Sequence, residues 1–250
     1  MVIPVLVLDD ARGIGDVMPR APLRLELCEG DFAVIEVSGP RRGAAFADLC
    51  SGLAPLAGGQ VRFLGRDWST APREHADALR GHIGRLFHQP LRPDTLDVAA
   101  RVLLGRLHHT RIPEADVRTE AIALAQLFGL PGLPAGPARL VSEPDLLRAA
   151  CVRAFLGSPR LLILELPMAG QAEDLRSALL SAGAEARGQG AAVIWLAAPG
   201  PALRDPAVRP THRLRLSDAG LSPIRRAMPP SRDFAPVSTI VPVSLEGDQP

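Results

Sequence analysis

The sequence predicts a mixed α/β fold, and three stretches support this prediction. Residues 161–164 are four consecutive aliphatic residues, and Glu165 follows them directly. An unbroken apolar run of this length is typical of a strand buried on both faces of a parallel sheet. Residues 32–37 and 191–196 show a similar pattern, whereas residues 95–156 carry apolar side chains at helical spacing. Strands and helices in this order indicate a mixed α/β fold.

Composition indicates a globular protein of the cytoplasm. The 250-residue chain is 47% hydrophobic and 22% charged, and all 28 of its basic residues are arginine. A net charge of +1 gives no electrostatic reason to expect a nucleic-acid partner. The three cysteines are far apart and fit neither a zinc site nor a disulfide framework. No basic leader pattern and no run long enough to span a bilayer are visible.

The N-terminal part of the chain predicts short strands joined by turns. Leucines at 23, 25 and 27 alternate with charged residues, as in a half-buried strand. The elements expected here are strands at 2–8, 23–27, 32–37, 60–65 and 82–88, a loop at 9–22, turns at 29–31 and 58–59, and a helix at about 46–53.

The rest of the chain predicts helices before and after the strand at 161–164. Residues 114–128 have helical spacing, with Gly129 as the expected C-cap. Ser142 is the expected N-cap of a helix at 144–156, and Asp145 stands where a capping box has its acidic residue. Further elements are a helix at 174–187, strands at 191–196 and 214–216, and a Pro-rich extended tail at 222–250.

Eight segments of the chain occur in the order and spacing of a known family. They are residues 29–32, 37–52, 50–53, 58–61, 83–90, 142–155, 159–167 and 191–199. In this respect the sequence resembles the ATP-binding subunits of ABC transporters. The resemblance implies a P-loop NTPase core of the ABC type, with an N-terminal antiparallel β part and an α-helical subdomain. It implies one domain at 1–221, with the helical subdomain at about 92–156, followed by the tail.

The segment that is similar to the family's phosphate-binding loop lacks the residues that bind phosphate. In a P-loop, backbone N–H groups and a lysine contact phosphate oxygens, and a hydroxyl holds magnesium. Here the lysine position falls on Gly43 or Ala45, the hydroxyl position falls on Ala44, Ala45 or Phe46, and Pro40 removes a donor. The candidate contacts that remain are Gly39, Arg41, Arg42, Gly43, Ala44 and Ala45. An ordinary strand-to-helix turn is favoured over a nucleotide site.

The carboxylate and histidine positions of the family are also altered. Glu165 stands where the resemblance implies the Walker B aspartate, and it is the one candidate catalytic residue. The next position, the family's general base, is Leu166, which cannot accept a proton. Ala172 and Ala198 stand at the positions of the D-loop aspartate and the switch histidine.

Two further motifs of the family are present only in part. His88 stands at the position of the Q-loop glutamine, with Gln89 as the alternative if the alignment slips by one residue. Ser142 is in place in the signature motif, but Glu143 and Pro144 replace its glycines. The carboxylates of Glu143 and Asp145 at this helix start would repel an arriving phosphate, because all of these groups are negatively charged.

These substitutions favour a degenerate, non-hydrolysing ABC subunit that pairs as a dimer with a second ATP-binding subunit, or with a membrane permease. Its expected location is the cytoplasmic side of the inner membrane, where it is held by the permease. ATP and magnesium are the cofactors that the resemblance implies, and the altered motifs argue against both. The alternatives are an active transport ATPase with atypical motifs, with lipid transport as one candidate role, and an unrelated α/β protein. The pair His108-His109 is expected to be a surface pair, and no metal site is predicted.

Overall fold

The computed structural model of the protein describes residues 4–88, 97–165, 173–200 and 207–224. Its strands are β1 (Leu6–Gly13), β2 (Leu23–Leu27), β3 (Phe32–Val37), β4 (Leu56–Phe63), β5 (Arg66–Asp67), β6 (Ile83–Leu86), β7 (Leu161–Glu165), β8 (Ala192–Ala197), β9 (His212–Ser217) and β10 (Gly220–Pro223). Its α-helices are α1 (Pro40–Cys50), α2 (Arg73–Arg80), α3 (Val98–His109), α4 (Glu114–Leu127), α5 (Glu143–Phe155) and α6 (Glu173–Gly188), with a 3-10 turn at Ala138–Leu140.

The strands form two sheets, which confirms the mixed α/β prediction. The first is antiparallel, in the order β2-β1-β4-β5. The second has the order β10-β9-β3-β8-β7-β6, and its strands are parallel except for β10 at one edge. Because the parallel strands all run the same way, the ends of β3, β6, β7 and β8 meet at one edge of the sheet, where open α/β sheets bind ligands.

The parallel sheet separates two apolar clusters. Leu162 and Leu164 of β7 pack into the cluster formed with α3, α4, α5 and α6. Leu161 and Ile163 pack into the other cluster, which contains α1 and the antiparallel sheet. Successive side chains of a strand point to opposite faces, so all five residues of β7 are buried. The prediction of a strand buried on both faces is confirmed.

The first sheet corrects two predictions. β1 begins at Leu6 and continues to Gly13, so residues 9–13 are strand rather than loop. Its pairing with β4 shifts between Asp9 and Arg12, and Asp10 has a φ of 48° at this bulge. Gly59 lies within β4 rather than in a turn, with a φ of 73°, and an added Cβ would come 2.1 Å from the Asp10 carbonyl oxygen. The glycine therefore lets the two strands pair closely across the bulge.

The first helix also begins earlier than expected. α1 starts at Pro40 rather than near 46 and ends at Cys50 rather than at 53. Pro40 occupies the first turn, where a proline's missing N–H leaves no helical bond unmade. α2, β5 and β10 were not predicted, and β10 includes two residues of the expected tail.

The later helices agree closely with the sequence patterns. α4 is followed by Gly129, which adopts a φ of 81° and ends the helix as expected. Ser142 caps α5, and α6 covers the predicted 174–187. Among the described residues, no helix combines the length and apolarity that a bilayer span requires.

Candidate functional site

The connection between β3 and α1 contains only Ser38 and Gly39. Residues 41–45, expected from the sequence to lie in a strand-to-helix turn before the helix, are part of α1 instead. The P-loop pattern places several loop residues between strand and helix so that successive N–H groups surround a phosphate. A two-residue connection cannot form that cradle. Gly39 supplies no side-chain cap, and Pro40 supplies no N–H, so the start of α1 offers fewer donors than an ordinary helix.

The arginines of this segment have separate surroundings. Arg41 is exposed. The Nε of Arg42 donates to the Val17 carbonyl at 3.0 Å, and its NH2 donates to Asp218 Oδ1 at 2.6 Å. Arg42 therefore joins the loop before β2 to the turn after β9. Arg41 is the basic side chain of the pair that remains open to solvent.

The other candidates of this segment face the sheet. Gly43 is buried, and an added Cβ would lie 3.5 Å from Leu196 and 3.6 Å from Val37. Ala44 and Ala45 are half-buried within the first turns of α1. Gly43 lies against β3 and β8, Ala45 packs against the apolar cluster on that side of the sheet, and none of the three side chains could bind a phosphate.

Glu165, the candidate catalytic residue, is paired with an arginine. Arg85 Nε donates to Glu165 Oε1 at 2.6 Å, and Arg85 NH1 donates to Asp48 Oδ1 at 2.5 Å. Arg85 NH2 also donates to the Ala44 carbonyl at 3.3 Å. A single guanidinium therefore connects β6, β7 and α1. The side chains of Arg85 and Glu165 are 9% and 3% exposed, so this is a buried ion pair.

Strand register explains the pair. β6 runs parallel to β7, with Arg85 opposite Ile163, and Glu165 lies two residues further along on the same side of its strand. The sequence patterns did not identify Arg85 as a site residue, because its partner is 80 positions away in the chain. The available signal was a charged residue inside an otherwise apolar strand.

This arrangement does not fit a magnesium–nucleotide complex. A magnesium ion prefers oxygen ligands with free lone pairs, and Arg85 holds Glu165 Oε1 with a positive charge. Within the described ranges, no group of three or more His, Cys, Asp or Glu side chains could hold a metal ion. The two-residue connection before α1 and the Arg85–Glu165 pair both differ from the arrangement that the family motifs describe.

The remaining motif positions are at the edge of the sheet or at the start of α5. Ala198 is exposed just after β8, and His88 is half-buried after β6. Gln89, Leu166 and Ala172 lie outside the described residues. The start of α5 is satisfied locally, because Ser142 Oγ accepts from the Asp145 N–H at 3.2 Å and donates to Asp145 Oδ2 at 2.8 Å.

The histidine pair and a buried cysteine of the helical part lie outside this arrangement. His108 and His109 end α3 with their rings 4.9 Å apart, and the described residues supply no third metal ligand. Cys151 is fully buried in α5, and burial raises the pKa of its thiol to about 12. A thiol with such a pKa is not a nucleophile near neutral pH.

Comparison with known proteins relates the chain to transport ATPase subunits, although no family model matches the sequence. It is 32% identical over 126 residues to the phosphonates import ATP-binding protein of Nocardia farcinica. This match covers 48% of this chain and 47% of that protein. It is 32% identical over 131 residues to the Fe(3+) ions import ATP-binding protein of Streptomyces coelicolor. This match covers 52% of this chain and 36% of that protein. It is 28% identical over 197 residues to a ribose import ATP-binding protein of Streptomyces avermitilis. This match covers 77% of this chain and 39% of that protein. The matches thus span less than half the length of these relatives.

Solved structures agree with the fold. The ATP-binding subunit of an ABC transporter superposes with a TM-score of 0.73 at 17% identity, over 87% of this chain and 88% of the other. A dimeric ATP-binding cassette in a post-hydrolysis state with ADP and Pi superposes with a TM-score of 0.72 at 14% identity, over 88% and 99%. The protein therefore has the fold of the ATP-binding cassettes of ABC transporters. Its curated homologues are ABC transporter ATP-binding subunits, so the resemblance seen in the sequence is confirmed.

Proposed function

We propose that this chain is a non-hydrolysing ABC cassette subunit, which acts by pairing with an intact ATP-binding subunit or with a permease. The observation that carries the proposal is the buried pair of Arg85 and Glu165. A cassette that hydrolyses ATP needs a carboxylate available to the metal and a general base beside it. Here the carboxylate binds an internal arginine, and the following residue is leucine.

The names of the relatives support a role in transport. Each of the three described above is called an import ATP-binding protein. We infer that the surfaces for pairing are kept together with the fold, and a dimeric cassette among the structural neighbours supports this inference. We therefore place this subunit at the cytoplasmic face of a membrane, bound to a permease.

The active-ATPase alternative makes a different prediction about the same residues. It requires Glu165 to exchange Arg85 for a metal ion and Arg41 to contact phosphate. The test is a calorimetric titration of the purified chain with ATP, with and without magnesium, together with a phosphate-release assay. We expect no saturable binding at the cassette site and no turnover. Magnesium-dependent turnover that is lost in Glu165→Gln would establish the alternative instead.

The pairing role needs a test of its own. The chain is co-expressed with any permease and ATP-binding subunit that are encoded beside its gene, and the resulting complex is purified. We expect a stoichiometric complex whose ATP hydrolysis depends on the partner's motifs and is unchanged by Arg41→Ala. Failure to form any complex with neighbouring transport subunits, or hydrolysis that requires Arg41, would contradict the proposal.

A further inference from the structure

The loop between β1 and β2 lies against the edge of the parallel sheet. Residues 14–22 make up this loop and consist of turns and bends. The loop contacts Arg42 in the first turn of α1, directly after β3, and it contacts the turn between β9 and β10. Because β3 and β9 are parallel neighbours, their ends meet at the edge where open α/β sheets bind ligands. The β1–β2 loop therefore covers one side of that edge.

One arginine side chain fastens the loop at both of these contacts. Arg42 Nε donates to the Val17 carbonyl at 3.0 Å, and its NH2 donates to Asp218 Oδ1 at 2.6 Å. The planar guanidinium presents several donors in a fixed arrangement, so one side chain can hold two acceptors. The side chain of Arg42 is 19% exposed, whereas that of Asp218 is 80% exposed. Dissolved ions can therefore reach the ion pair more easily than the bond to Val17.

The packing beneath the loop fits this closed position. Met18 is buried and lies on Gly13, where an added Cβ would come 2.7 Å from Met18 Cε. On the other side, Gly220 has a φ of 93°, and an added Cβ there would lie 3.2 Å from the Pro22 carbonyl oxygen. Glycine at these two positions lets the loop approach both β1 and the β9–β10 turn closely.

The backbone of the loop is held less firmly than its side chains. The Met18 N–H donates to the Gly15 carbonyl at 3.2 Å, and the Ala21 N–H donates to the Asp218 carbonyl at 3.4 Å, which is long for a hydrogen bond. Gly15 has a φ of 114°, and no atom of the described residues lies within 4 Å of the place that its Cβ would take. Segments with weak backbone bonds open locally at a low free-energy cost. The closed position therefore depends on the contacts of Arg42 and Met18.

We propose that the β1–β2 loop is a lid over this edge of the sheet, and that Arg42 is the latch that keeps the lid closed. Gly15 is the hinge at which the loop bends. When the lid opens, Met18 leaves β1, and both Gly13 and the first turn of α1 become accessible. Because one half of the latch is an exposed ion pair, ionic strength shifts the balance between the closed and open lid.

The test measures opening of the lid by limited proteolysis and by hydrogen exchange. The chain contains no lysine, so trypsin cuts it only after arginine, and Arg20 is the exposed arginine of the loop. The rate of cutting follows the population of the open form when opening and closing are fast. Mass spectrometry identifies the fragment that ends at Arg20, and Arg20→Gln should abolish it. Amide exchange of residues 16–21 gives an independent measure of the same opening.

Four variants separate the two halves of the latch. Arg42→Met removes both bonds, and it should raise cutting after Arg20 and amide exchange of the loop by about tenfold or more. Asp218→Asn removes the ion pair alone and should raise both by less, because an exposed pair contributes little. The double variant Arg42→Met/Asp218→Asn should match Arg42→Met, since both changes act through one side chain. Arg41→Met, at the neighbouring exposed arginine, is the matched control and should change neither.

A salt series distinguishes a latch from ordinary packing. Between about 0.01 M and about 1 M salt the Debye length falls from about 30 Å to about 3 Å. Amide exchange of the loop should therefore rise in wild type towards that of Asp218→Asn, and it should stay constant in that variant. This series and Asp218→Asn decide the question if Arg42→Met does not fold.

The proposal would be overturned by loop exchange that stays the same in Asp218→Asn and in high salt, or by an equal rise in Arg41→Met. A rise in Arg42→Met that extends equally to the amides of α5 would also overturn it, because such a rise reports general destabilisation. None of these measurements involves a nucleotide, so their outcome is independent of the proposal that the subunit does not hydrolyse ATP.

Discussion

Arg85 of β6 holds Glu165 of β7 through a 2.6 Å bond between Nε and Oε1, at the edge of the sheet where the cassette family has its Walker B carboxylate. The same guanidinium reaches Asp48 and the Ala44 carbonyl of α1. The positive charge beside Glu165 is therefore the Arg85 guanidinium. It joins β6, β7 and α1, the three elements that would surround a nucleotide. Through these contacts, the Arg85–Glu165 pair is part of the packing of the sheet against α1.

The first prediction concerns the energetic role of this pair. Arg85→Met should lower the free energy of unfolding by about 3–5 kcal/mol, because it leaves a buried carboxylate without a partner. Glu165→Leu alone should be destabilising for the same reason. The double variant Arg85→Met/Glu165→Leu should recover most of the loss, since an apolar pair of similar size often replaces a buried ion pair at little cost. Urea denaturation of the four proteins measures these differences.

An exposed ion pair is the matched control for this cycle. Arg24 and Asp10 are joined at 2.6 Å, but their side chains are 75% and 47% exposed. Arg24→Met should leave the urea midpoint close to that of wild type, because an exposed ion pair contributes little to stability. If Arg85→Met behaves in the same way as Arg24→Met, the pair is not a stabilising connection between the sheet and α1.

The difference between the expected and observed start of α1 has a physical reason. The resemblance to the family's phosphate-binding segment placed residues 38–45 before the helix. Pro40, however, is a good first-turn residue, and Gly43 is small enough to lie against the sheet. The local helix signal was present, and the motif alignment outweighed it. By contrast, the cap at Ser142 depends on residues three positions apart, so it could be predicted from the sequence.

Long-range contacts could not be predicted in the same way. The strand at 161–164 was evident from its apolar run, but the sequence does not state which arginine lies beside Glu165. The bulge at Asp10 and its pairing with Gly59 likewise depend on strands that are 50 residues apart. Periodicity specifies which residues are buried, whereas register and turn geometry decide which of them meet.

The second prediction concerns restoration of the missing base. Leu166→Glu supplies a carboxylate where the family has its general base, and a group of this kind alone contributes about 10²–10⁴-fold to a rate. We expect no measurable ATP hydrolysis in this variant, because the two-residue connection before α1 still provides no phosphate cradle. A phosphate-release assay with a partner-free preparation is the measurement. Magnesium-dependent turnover in the variant would show that the cradle forms in another way.

The third prediction concerns pH and Asp97, the N-cap of α3. Asp97 Oδ1 accepts from the N–H of Ala99 at 2.8 Å, and Oδ2 accepts from the N–H of Gly136. The Gly136 bond, more than any other contact, holds the pKa of Asp97 below its usual value. The folded state therefore binds this proton less readily than the unfolded state does. The stabilisation by Asp97 should be complete above the unfolded pKa of about 3.9 and should be lost as the pH falls through the lower folded pKa.

Comparison of wild type with Asp97→Asn isolates this contribution. The variant's amide cannot accept from Gly136 with the same charge, so it should be less stable by about 1 kcal/mol at neutral pH. The difference should decrease as the pH approaches 3. Asp116→Asn, in the first turn of α4, is a matched control at a similarly exposed site. A difference for Asp97→Asn that does not change with pH would mean that the carboxylate's charge is not what stabilises this turn.

The last prediction concerns the start of α5, where the family has its signature motif. Ser142 Oγ accepts from the Asp145 N–H and donates to the Asp145 carboxylate, so the helix start already has an internal anion. Ser142→Ala should lower the free energy of unfolding by about 1 kcal/mol, whereas Ser142→Gly should lower it by only a few tenths. Urea denaturation distinguishes these values. Because the anion is internal, Ser142→Ala should leave ATP hydrolysis by a reconstituted complex with an intact partner unchanged. Hydrolysis that fell sharply in Ser142→Ala, but not in the equally exposed control Thr119→Ala, would show that Ser142 contacts a partner's nucleotide.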